Sequence, residues 1–288
     1  MKIESPIIII GMHRSGTTLL TKLLEKFGLF VGHKKRKNYE ATFFQKLNKW
    51  LLYQANVTWD STGNIAYVDE DFLQSVSEVA KKRLSSVFRM EFLGPKKFIN
   101  NTSISELTFK WGWKDPVNSI TIDVWKNIFP KAKIIYVYRN PIDVAQSLKV
   151  REEKRRKDRK LGMKQRIKQK LLFRDYQFNQ SYLINDFSKG IDLWKEYVNL
   201  NEKTLEKYPN DIIKIKYEDL LENPSGKLAE IIDFCELIVS KSEIEKVSSI
   251  IDSSRRYGFI NNPELCNHYL TIKQDPLMTK LGYDNIPI

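Results

Sequence analysis

The chain opens with a pattern of apolar and polar positions that predicts a strand, a loop and a helix in succession. Residues 6–10, "PIIII", form a short and wholly apolar run. Such a run is typical of a buried central strand in a parallel sheet. The segment from Ser15 to Phe27 then carries leucines at helical spacing, and Gly28 marks its predicted end.

The same alternation continues along the chain and predicts an α/β fold. The runs "AKIIYVYRN" and "DIIKIKYED" predict a second and a third buried strand, and "FKWGWKD" suggests a further strand that ends in a functional loop. Asp115 and Pro116 are suited to cap and open a helix. The other helices are predicted over 41–53, 70–89, from 141 onward, and over 190–207, 217–235 and 240–250, whereas the tail from 253 has the composition of a loop.

Strands separated by helical patterns predict a parallel central sheet flanked by helices, and we expect a single domain over 1–288. Its core is expected over about 5–236. A basic helical insertion is predicted over 149–187, and 237–288 would form a C-terminal cap segment.

Composition and length are typical of a soluble globular protein. The 288 residues are 42% hydrophobic, and no apolar run approaches the roughly 20 residues that cross a bilayer. One lysine before four isoleucines is too short for a signal peptide, so a cytoplasmic location is expected. Cys235 and Cys266 are interpreted as two inert thiols in a reduced compartment, with no metal cluster.

Positive charge is concentrated in one block. The net charge is +13, and residues 149–170 contain 12 Lys and Arg against 3 Asp and Glu, which is +9 of the total. Such blocks attract polyanions, membranes or acidic substrates, although a solvated helix is an equal alternative. We interpret the block as one flank of the groove that binds an acceptor substrate, which an anionic acceptor would suit, with peripheral membrane contact as an alternative. It has little aromatic interleaving, so no nucleic-acid partner is expected.

The loop "GMHRSGTT" has the features of an anion site. Gly11 and Gly16 are spaced as in a phosphate-binding P-loop, but Thr17 stands where the P-loop lysine would be, and the cation is Arg14 instead. Glycines allow backbone N–H groups to approach an anion, and the following helix N-terminus favours negative charge. Ser15 and Thr18 add hydroxyl groups, whereas His13 is expected to be solvated and not catalytic.

A second set of residues follows the second predicted strand. Arg139 closes that strand, and Ser147 and Arg151 lie one turn apart on the helix that begins at Pro141. Because ligands bind at the carboxyl ends of strands in open α/β sheets, this arginine stands at a favourable place for a second anion.

In combination, these segments resemble the sulfotransferases that use 3′-phosphoadenosine 5′-phosphosulfate (PAPS). That family has a 5′-phosphosulfate loop of the form [KR]-S-G-T-[TS] and a 3′-phosphate motif R-x-P-x-x-x-x-x-S. Its "YEDL" tyrosine commonly lies near the adenine, and bacterial members often carry "WKDP". The matching residues are Arg14 to Thr18, Arg139 with Pro141 and Ser147, Arg151 four residues later, Tyr217, and Trp113 to Pro116.

The resemblance implies a P-loop-like fold and an in-line transfer of a sulfuryl group from PAPS to a hydroxyl or amine, without a metal. Adenosine 3′,5′-bisphosphate would be the product. The implied donor-binding residues are Arg14, Ser15, Gly16, Thr17, Thr18, Arg139, Ser147, Arg151 and Tyr217. Many members close over the nucleotide with a basic C-terminal segment, for which Arg255 and Arg256 are the candidates, although the usual R-K-G form is absent.

The resemblance also suggests which residues act on the acceptor. Some members use a glutamate after the first helix as general base, and Glu40 in "NYEATFFQKLN" stands there. Arg14 would neutralise charge on the leaving oxygen, and Lys114 could touch the sulfuryl oxygens. Asp115 is expected to cap its helix, and Val117 replaces an arginine that is frequent in the family.

Two other functions stay open as alternatives. A P-loop kinase would need a lysine after Gly16 and an acidic strand end for magnesium. A non-enzymatic polyanion-binding protein would use the block 149–170. The acceptor is not identified by the sequence; a carbohydrate, a lipid or a small molecule, including an anionic one, is expected. Trp50, Trp59, Trp111 and Trp113 could stack on a sugar or could pack in the core.

Overall fold

A computed structural model describes residues 2–157, 181 and 183–288. Its centre is a four-stranded sheet in the order β2-β1-β3-β4, with all neighbouring strands parallel. The predicted fold class is therefore confirmed. The strands are β1 (Ile7–Ile10), β2 (Gly112–Lys114), β3 (Lys133–Tyr138) and β4 (Ile212–Lys216).

The register brings the carboxyl ends of the strands together. Ile9 is paired with Lys114 on one side and with Ile135 on the other. The residues that directly follow β1, β3 and β4 therefore lie along one edge of the sheet, where ligands bind in this class of fold. Gly11, Arg139 and Tyr217 are those residues.

Helices cover both faces of the sheet. Their bounds in chain order are α1 Thr17–Lys26, α2 Thr42–Gln54, α3 Glu70–Leu84, α4 Met90–Asn100, α5 Asn118–Ile128, α6 Pro141–Lys157, α7 Phe187–Lys207, α8 Tyr217–Glu222, α9 Pro224–Phe234, α10 Lys241–Ser248, α11 Pro263–Ile272 and α12 Pro276–Leu281. Short 3₁₀ turns join them at Gly63–Tyr67, Val87–Arg89, Ile104–Glu106, Leu183–Asn185, Ser253–Arg255 and Gly258–Asn261.

Aromatic side chains fill the core under α2 and α5. Phe44 stacks on Trp113 with ring centroids 3.9 Å apart and planes within 6°. Trp111 and Trp113 are fully buried, so these two tryptophans pack in the core and are not available to stack on a sugar. On the opposite face of the sheet, Leu20 and Leu24 of α1 pack with Ile231 of α9.

The predicted helices agree with the structure except in four places. The helix predicted over 70–89 ends at Leu84 and is followed by the 3₁₀ turn Val87–Arg89. The weak pattern around 96–113 hid α4, which bends at Gly94 and Pro95. The helix predicted over 217–235 is divided at Asn223, whose side chain caps α9. The tail from 253 was expected to be a loop, and this is wrong for α11 and α12, because Asn262 and Asp275 cap helices whose first residue is a proline.

The predicted insertion over 149–187 is only partly described. Residues 149–157 continue α6 and 187 begins α7, while most of the interval between them lies outside the described residues. The basic block 149–170 is therefore described only as far as 157. Over the described ranges, the structure has no helix that is long and apolar enough to span a membrane.

Candidate functional site

The loop between β1 and α1 wraps the N-terminus of the helix. Gly11 donates its N–H to Ser119 Oγ at 3.1 Å, and the Ser15 N–H reaches the Met12 carbonyl at 3.2 Å. Arg14 has a φ of 72° and Gly16 a φ of 96°. These left-handed conformations turn the chain sharply into α1, whose first N–H groups have no partner within the helix and suit an anion.

Gly16 has a specific reason to be glycine. A Cβ atom at this position would lie 2.1 Å from the ring of Tyr217, the first residue of α8. The tyrosine ring is buried against the loop, and this burial raises the pKa of its hydroxyl. Tyr217 therefore lies beside this loop, and its contact with an adenine stays a prediction from the family resemblance.

Arg14 joins the two predicted motifs. Its Nε donates to Ser147 Oγ of α6 at 2.6 Å. Burial, together with the guanidinium groups of Arg139 and Arg255, lowers the pKa of Arg14. The arginine stays charged, because its ordinary pKa lies far above neutrality. Three guanidinium groups therefore repel one another across this site, and a bound anion would relieve that repulsion.

Arg139 follows β3 and is held from several sides. Its Nη2 donates to Asp143 Oδ2 at 2.8 Å and to the Arg255 carbonyl at 3.1 Å. The guanidinium carbon lies 4.8 Å from the centroid of the Tyr217 ring. Its Nε is buried and has no hydrogen-bond partner among the described residues. The arginine is thus fixed in place while one donor stays available for a ligand.

The hydroxyl-bearing residues of the loop differ in their burial and in their hydrogen-bond partners. Ser15 and Thr17 are buried, and Thr17 supplies the carbonyl that accepts the Thr21 hydroxyl at 2.7 Å. Thr18 uses its own hydroxyl to contact the Asn38 carbonyl at 3.1 Å. Thr18 therefore ties α1 to the segment that leads to Glu40.

Arg151 lies one turn beyond Ser147 and turns toward an aromatic ring. Its guanidinium carbon is 5.0 Å from the centroid of Trp59, and its Nε donates to Glu152 Oε1 at 2.9 Å. Its Nη2 is buried without a partner in the described part of the chain. Burial and the charge of Arg155 lower the pKa of Arg151.

The two arginines of the C-terminal segment differ in position. The Arg255 carbonyl accepts from Arg139, and its charge is near enough to affect the pKa of Arg14. The Arg256 Nη2 instead forms an ion pair with Glu222 at 2.7 Å. Arg255 therefore borders the cationic site more closely than Arg256 does.

A buried ion pair lies at the end of β2. Lys114 Nζ is 3.2 Å from Glu40 Oε1, and both side chains are almost fully buried. The second oxygen of Glu40 accepts from Gln45 Nε2 at 2.6 Å, and Gln45 Oε1 accepts from Arg36 Nε at 3.1 Å. The structure thus brings together Glu40 and Lys114, which the sequence placed 74 positions apart.

Asp115 adds a third buried ionisable group beside this pair. Burial, and then the charge of Glu40, raises the pKa of Asp115 to about 7. Its carboxylate accepts from the Val117 N–H at 3.0 Å and from Asn48 Nδ2 at 2.9 Å. It therefore caps the turn that precedes α5, whereas the sequence predicts Asp115 and Pro116 as the start of the helix itself, which begins at Asn118. Burial lowers the pKa of Lys114, while Glu40 and Asp115 oppose that shift.

His13 differs from the sequence-based expectation. Its ring lies against Trp59, with centroids 4.8 Å apart and planes at 81°, and its Nε2 is buried without a partner among the described residues. Burial, and then the charge of Arg151, lowers the pKa of His13 well below its usual value. The imidazole is therefore neutral near pH 7. No sequence signal indicated this contact, because His13 and Trp59 are on separate loops.

In the described ranges, no group of three His, Cys, Asp or Glu side chains is placed to hold a metal ion.

Comparison with known proteins gives the chain a family. The sequence model of the sulfotransferase family matches residues 6–241. Among solved structures, the chain is similar to the sulfotransferase domain from the curacin biosynthetic pathway, with 18% identity, 100% of both chains covered and a TM-score of 0.50. It is also similar to a sulfotransferase from Alicyclobacillus acidocaldarius, with 14% identity, 99% and 98% coverage and a TM-score of 0.50. At these identities the two structures show a common fold.

One curated relative is an uncharacterized protein from Aquifex aeolicus (strain VF5). It is 24% identical over 237 residues, which cover 81% of this chain. The match spans 26% of the relative, so the chain corresponds to about a quarter of that protein's length.

Proposed function

The chain belongs to the sulfotransferase family, and we propose that it transfers a sulfuryl group from PAPS to a hydroxyl or amine of an acceptor. The family and the fold support sulfuryl transfer in general. The observation that carries the choice of donor is the 2.6 Å hydrogen bond from Arg14 to Ser147. It joins the loop that would hold a 5′-phosphosulfate to the helix that would hold a 3′-phosphate, as one doubly anionic nucleotide requires.

The residues fit such a donor. The N–H groups at the start of α1, with Ser15, Gly16, Thr17 and Thr18, would hold the 5′-phosphosulfate. The 3′-phosphate would be held by Arg139, Ser147 and Arg151, and the buried Nε of Arg139 and Nη2 of Arg151 provide donors that are not otherwise used among the described residues. Tyr217 would lie near the adenine, and Arg255 and Arg256 would border the nucleotide from the C-terminal segment.

PAPS, when bound, supplies the sulfuryl group and leaves as adenosine 3′,5′-bisphosphate. Arg14 would neutralise negative charge that develops on the leaving oxygen, and Lys114 would stabilise the sulfuryl oxygens. We propose that these cations serve this purpose without a metal. Position 17, where nucleotide kinases carry a lysine, is a threonine.

Glu40 is the proposed general base, which takes the proton that the acceptor loses as its oxygen or nitrogen bonds to sulfur. The Lys114 ammonium lies 3.2 Å from one oxygen of this carboxylate and would sit beside the reacting groups. Each carboxylate oxygen can accept two hydrogen bonds, so the contacts to Lys114 and Gln45 leave each oxygen able to accept one more.

A thermal-shift experiment tests whether PAPS is the donor. Adenosine 3′,5′-bisphosphate without metal should stabilise the protein against heating, because it binds only the folded state. ATP should require magnesium and should stabilise less. Stabilisation by ATP with magnesium alone would instead favour the P-loop kinase alternative.

The acceptor requires a separate experiment. A screen with labelled donor against carbohydrates, lipids and small alcohols or amines should give a product that is heavier by one sulfuryl group. Steep salt-dependent binding to any duplex, with no transfer to any acceptor, would favour the alternative of a non-enzymatic polyanion-binding protein.

A further inference from the structure

Four large apolar side chains are exposed within one short stretch of the chain. Val87 is 69% exposed, Phe88 48%, Met90 52% and Ile99 80%. They belong to the turn Val87–Arg89 and to α4. Single exposed apolar residues are ordinary, but several together mark an interaction surface. We call residues 81–99 the basic-apolar ridge.

The ridge is held in shape by Arg89. Its Nη1 donates to the carbonyls of Ser85 and Ser86 at 3.1 Å each, and its Nε donates to the Asn101 carbonyl at 3.0 Å. Its guanidinium carbon also lies 4.1 Å from the centroid of the Phe98 ring. The turn that carries Val87 and Phe88 is therefore fixed next to the end of α4, where Ile99 lies.

Positive charge surrounds these apolar side chains. Residues 78–100 contain six Lys or Arg residues against Glu78 and Glu91, a net charge of +4. Glu91 is already paired with two lysines from elsewhere, Lys34 at 3.3 Å and Lys46 at 2.7 Å. Over the described ranges, the basic residues of the ridge that have no carboxylate partner include Lys81, Lys82 and Lys96.

An anionic membrane surface fits both properties. Apolar side chains insert into the boundary between head groups and acyl chains, while neighbouring Lys and Arg side chains contact anionic head groups. The Arg83 guanidinium carbon lies 3.4 Å from the centroid of the Phe88 ring. This cation–π contact places a positive charge directly beside an exposed apolar side chain. We propose that the basic-apolar ridge docks the protein on an anionic lipid surface.

The ridge is also connected to the loop that leads to the proposed active site. The His33 N–H donates to the Phe92 carbonyl at 2.7 Å, and the Lys34 N–H donates to the Glu91 carbonyl at 3.1 Å. The loop over 33–38, which precedes Glu40, is thus attached directly to α4. Docking through the ridge would hold that loop near the lipid surface, although the docking itself does not depend on the proposed chemistry.

Vesicle sedimentation of the whole chain tests the apolar part of the proposal. The protein should bind phosphatidylcholine vesicles with about 30% phosphatidylglycerol, and should bind pure phosphatidylcholine weakly. The double variant V87S/F88S should bind the anionic vesicles at least about tenfold more weakly, because two inserted side chains are lost. Ile238→Ser is the matched control, since Ile238 is fully exposed outside the ridge. Equal binding of V87S/F88S and Ile238→Ser would overturn the proposal.

Charge is tested with a second matched pair. K81E/K82E and K203E/K241E change the net charge equally, and all four lysines are exposed. Only the first pair should lose binding by about tenfold or more, because attraction acts within a Debye length of the surface. An equal loss would mean that overall charge alone attracts the protein. Absence of vesicle binding by the wild type, or self-association that V87S/F88S abolishes, would also overturn the proposal and indicate a protein partner.

Discussion

The two sides of the cleft at the carboxyl edge of the sheet use their charges in different ways. On the side of β1 and β3, Arg14 and Arg139 lie close to Arg255, and the buried Nε of Arg139 has no partner among the described residues. On the side of β2, Glu40 and Lys114 neutralise each other at 3.2 Å. The first side has an excess of one sign of charge and suits a charged ligand, whereas the second is balanced in its absence.

This difference indicates how each side should respond to mutation. Removal of a cation from the first side weakens the attraction for an anion but also relieves repulsion between guanidinium groups. Removal of either partner from the second side leaves a buried charge without compensation, which is costly. Variants on the β2 side should therefore be isosteric and their thermal unfolding should be measured as well, because an isosteric amide still leaves the partner's charge uncompensated.

The largest effect is expected at Arg14. Arg14→Ala should lower kcat/KM by about 10²–10³-fold, because one preorganised donor to the developing charge is lost. Arg14→Lys keeps the charge without the planar guanidinium group, so its kcat/KM should lie between those of the wild type and Arg14→Ala. Turnover with labelled donor and the best acceptor of the screen measures this. An Arg14→Ala enzyme with nearly full activity would show that this side does not perform the chemistry.

Glu40→Gln is expected to have the next largest effect. Turnover should fall by about 10²-fold, because the amide cannot take the acceptor's proton. Affinity for adenosine 3′,5′-bisphosphate should stay unchanged, which separates the two sides of the cleft. Gln45→Ala, which removes only the neighbour that donates at 2.6 Å, should have a smaller effect and serves as the control. Near-normal turnover in Glu40→Gln would place the base elsewhere.

On the side of β1 and β3, the arginines should differ in how much each contributes to the affinity for adenosine 3′,5′-bisphosphate. Arg139→Ala should weaken adenosine 3′,5′-bisphosphate by about tenfold or more in calorimetry, because hydrogen bonds between charged groups contribute about 1.5–3 kcal/mol. Arg255→Ala should have a smaller effect, and Arg256→Ala the smallest, since Arg256 is paired with Glu222 at 2.7 Å. Undiminished binding to Arg139→Ala would contradict the proposed donor site.

The last prediction concerns the side of β2 and is measured as a pH dependence of stability, not as a loss of activity or affinity. With a pKa of about 7, Asp115 keeps its proton in the folded protein to a higher pH than in the unfolded chain, where its pKa is about 4. Its contribution to stability is therefore present below about pH 4 and is lost as the pH rises toward 7. Relative to wild type, the free energy of unfolding of Asp115→Asn should rise over this window by up to about 1.4 kcal/mol per pH unit.

Urea denaturation at several pH values measures that difference. A curve for Asp115→Asn that runs parallel to that of the wild type would contradict the prediction, because it would mean that folding does not change the pKa of Asp115.

Much of the side formed by β1 and β3 could be predicted from the sequence, because it depends on local patterns. An apolar strand, a glycine loop and an amphipathic helix are each visible within about 20 residues, and the ends of parallel strands must meet at one edge. The approach of Arg14 to Ser147 follows from that topology. The roles of these residues toward a ligand stay predictions.

The rest depends on contacts between distant segments, which no local pattern encodes. Gln45 reaches Glu40 from within α2, and His13 lies on Trp59, a loop residue with no motif around it. The helices α11 and α12 were missed for a different reason. Prolines and asparagines have the composition of a loop, yet here they occupy helix N-termini, where the side-chain cap of Asn262 and a proline at the first position are favourable.

Asp143 links the C-terminal segment to Arg139. Its Oδ2 accepts from Arg139 Nη2 at 2.8 Å, from Asn140 Nδ2 at 2.9 Å and from the Gly258 N–H at 3.2 Å. One oxygen atom thus fastens the chain near 258 to the end of β3. A ligand that moves Arg139 would change these hydrogen bonds of Asp143. The rate of proteolysis near Gly258 should therefore differ between the free and the ligand-bound protein.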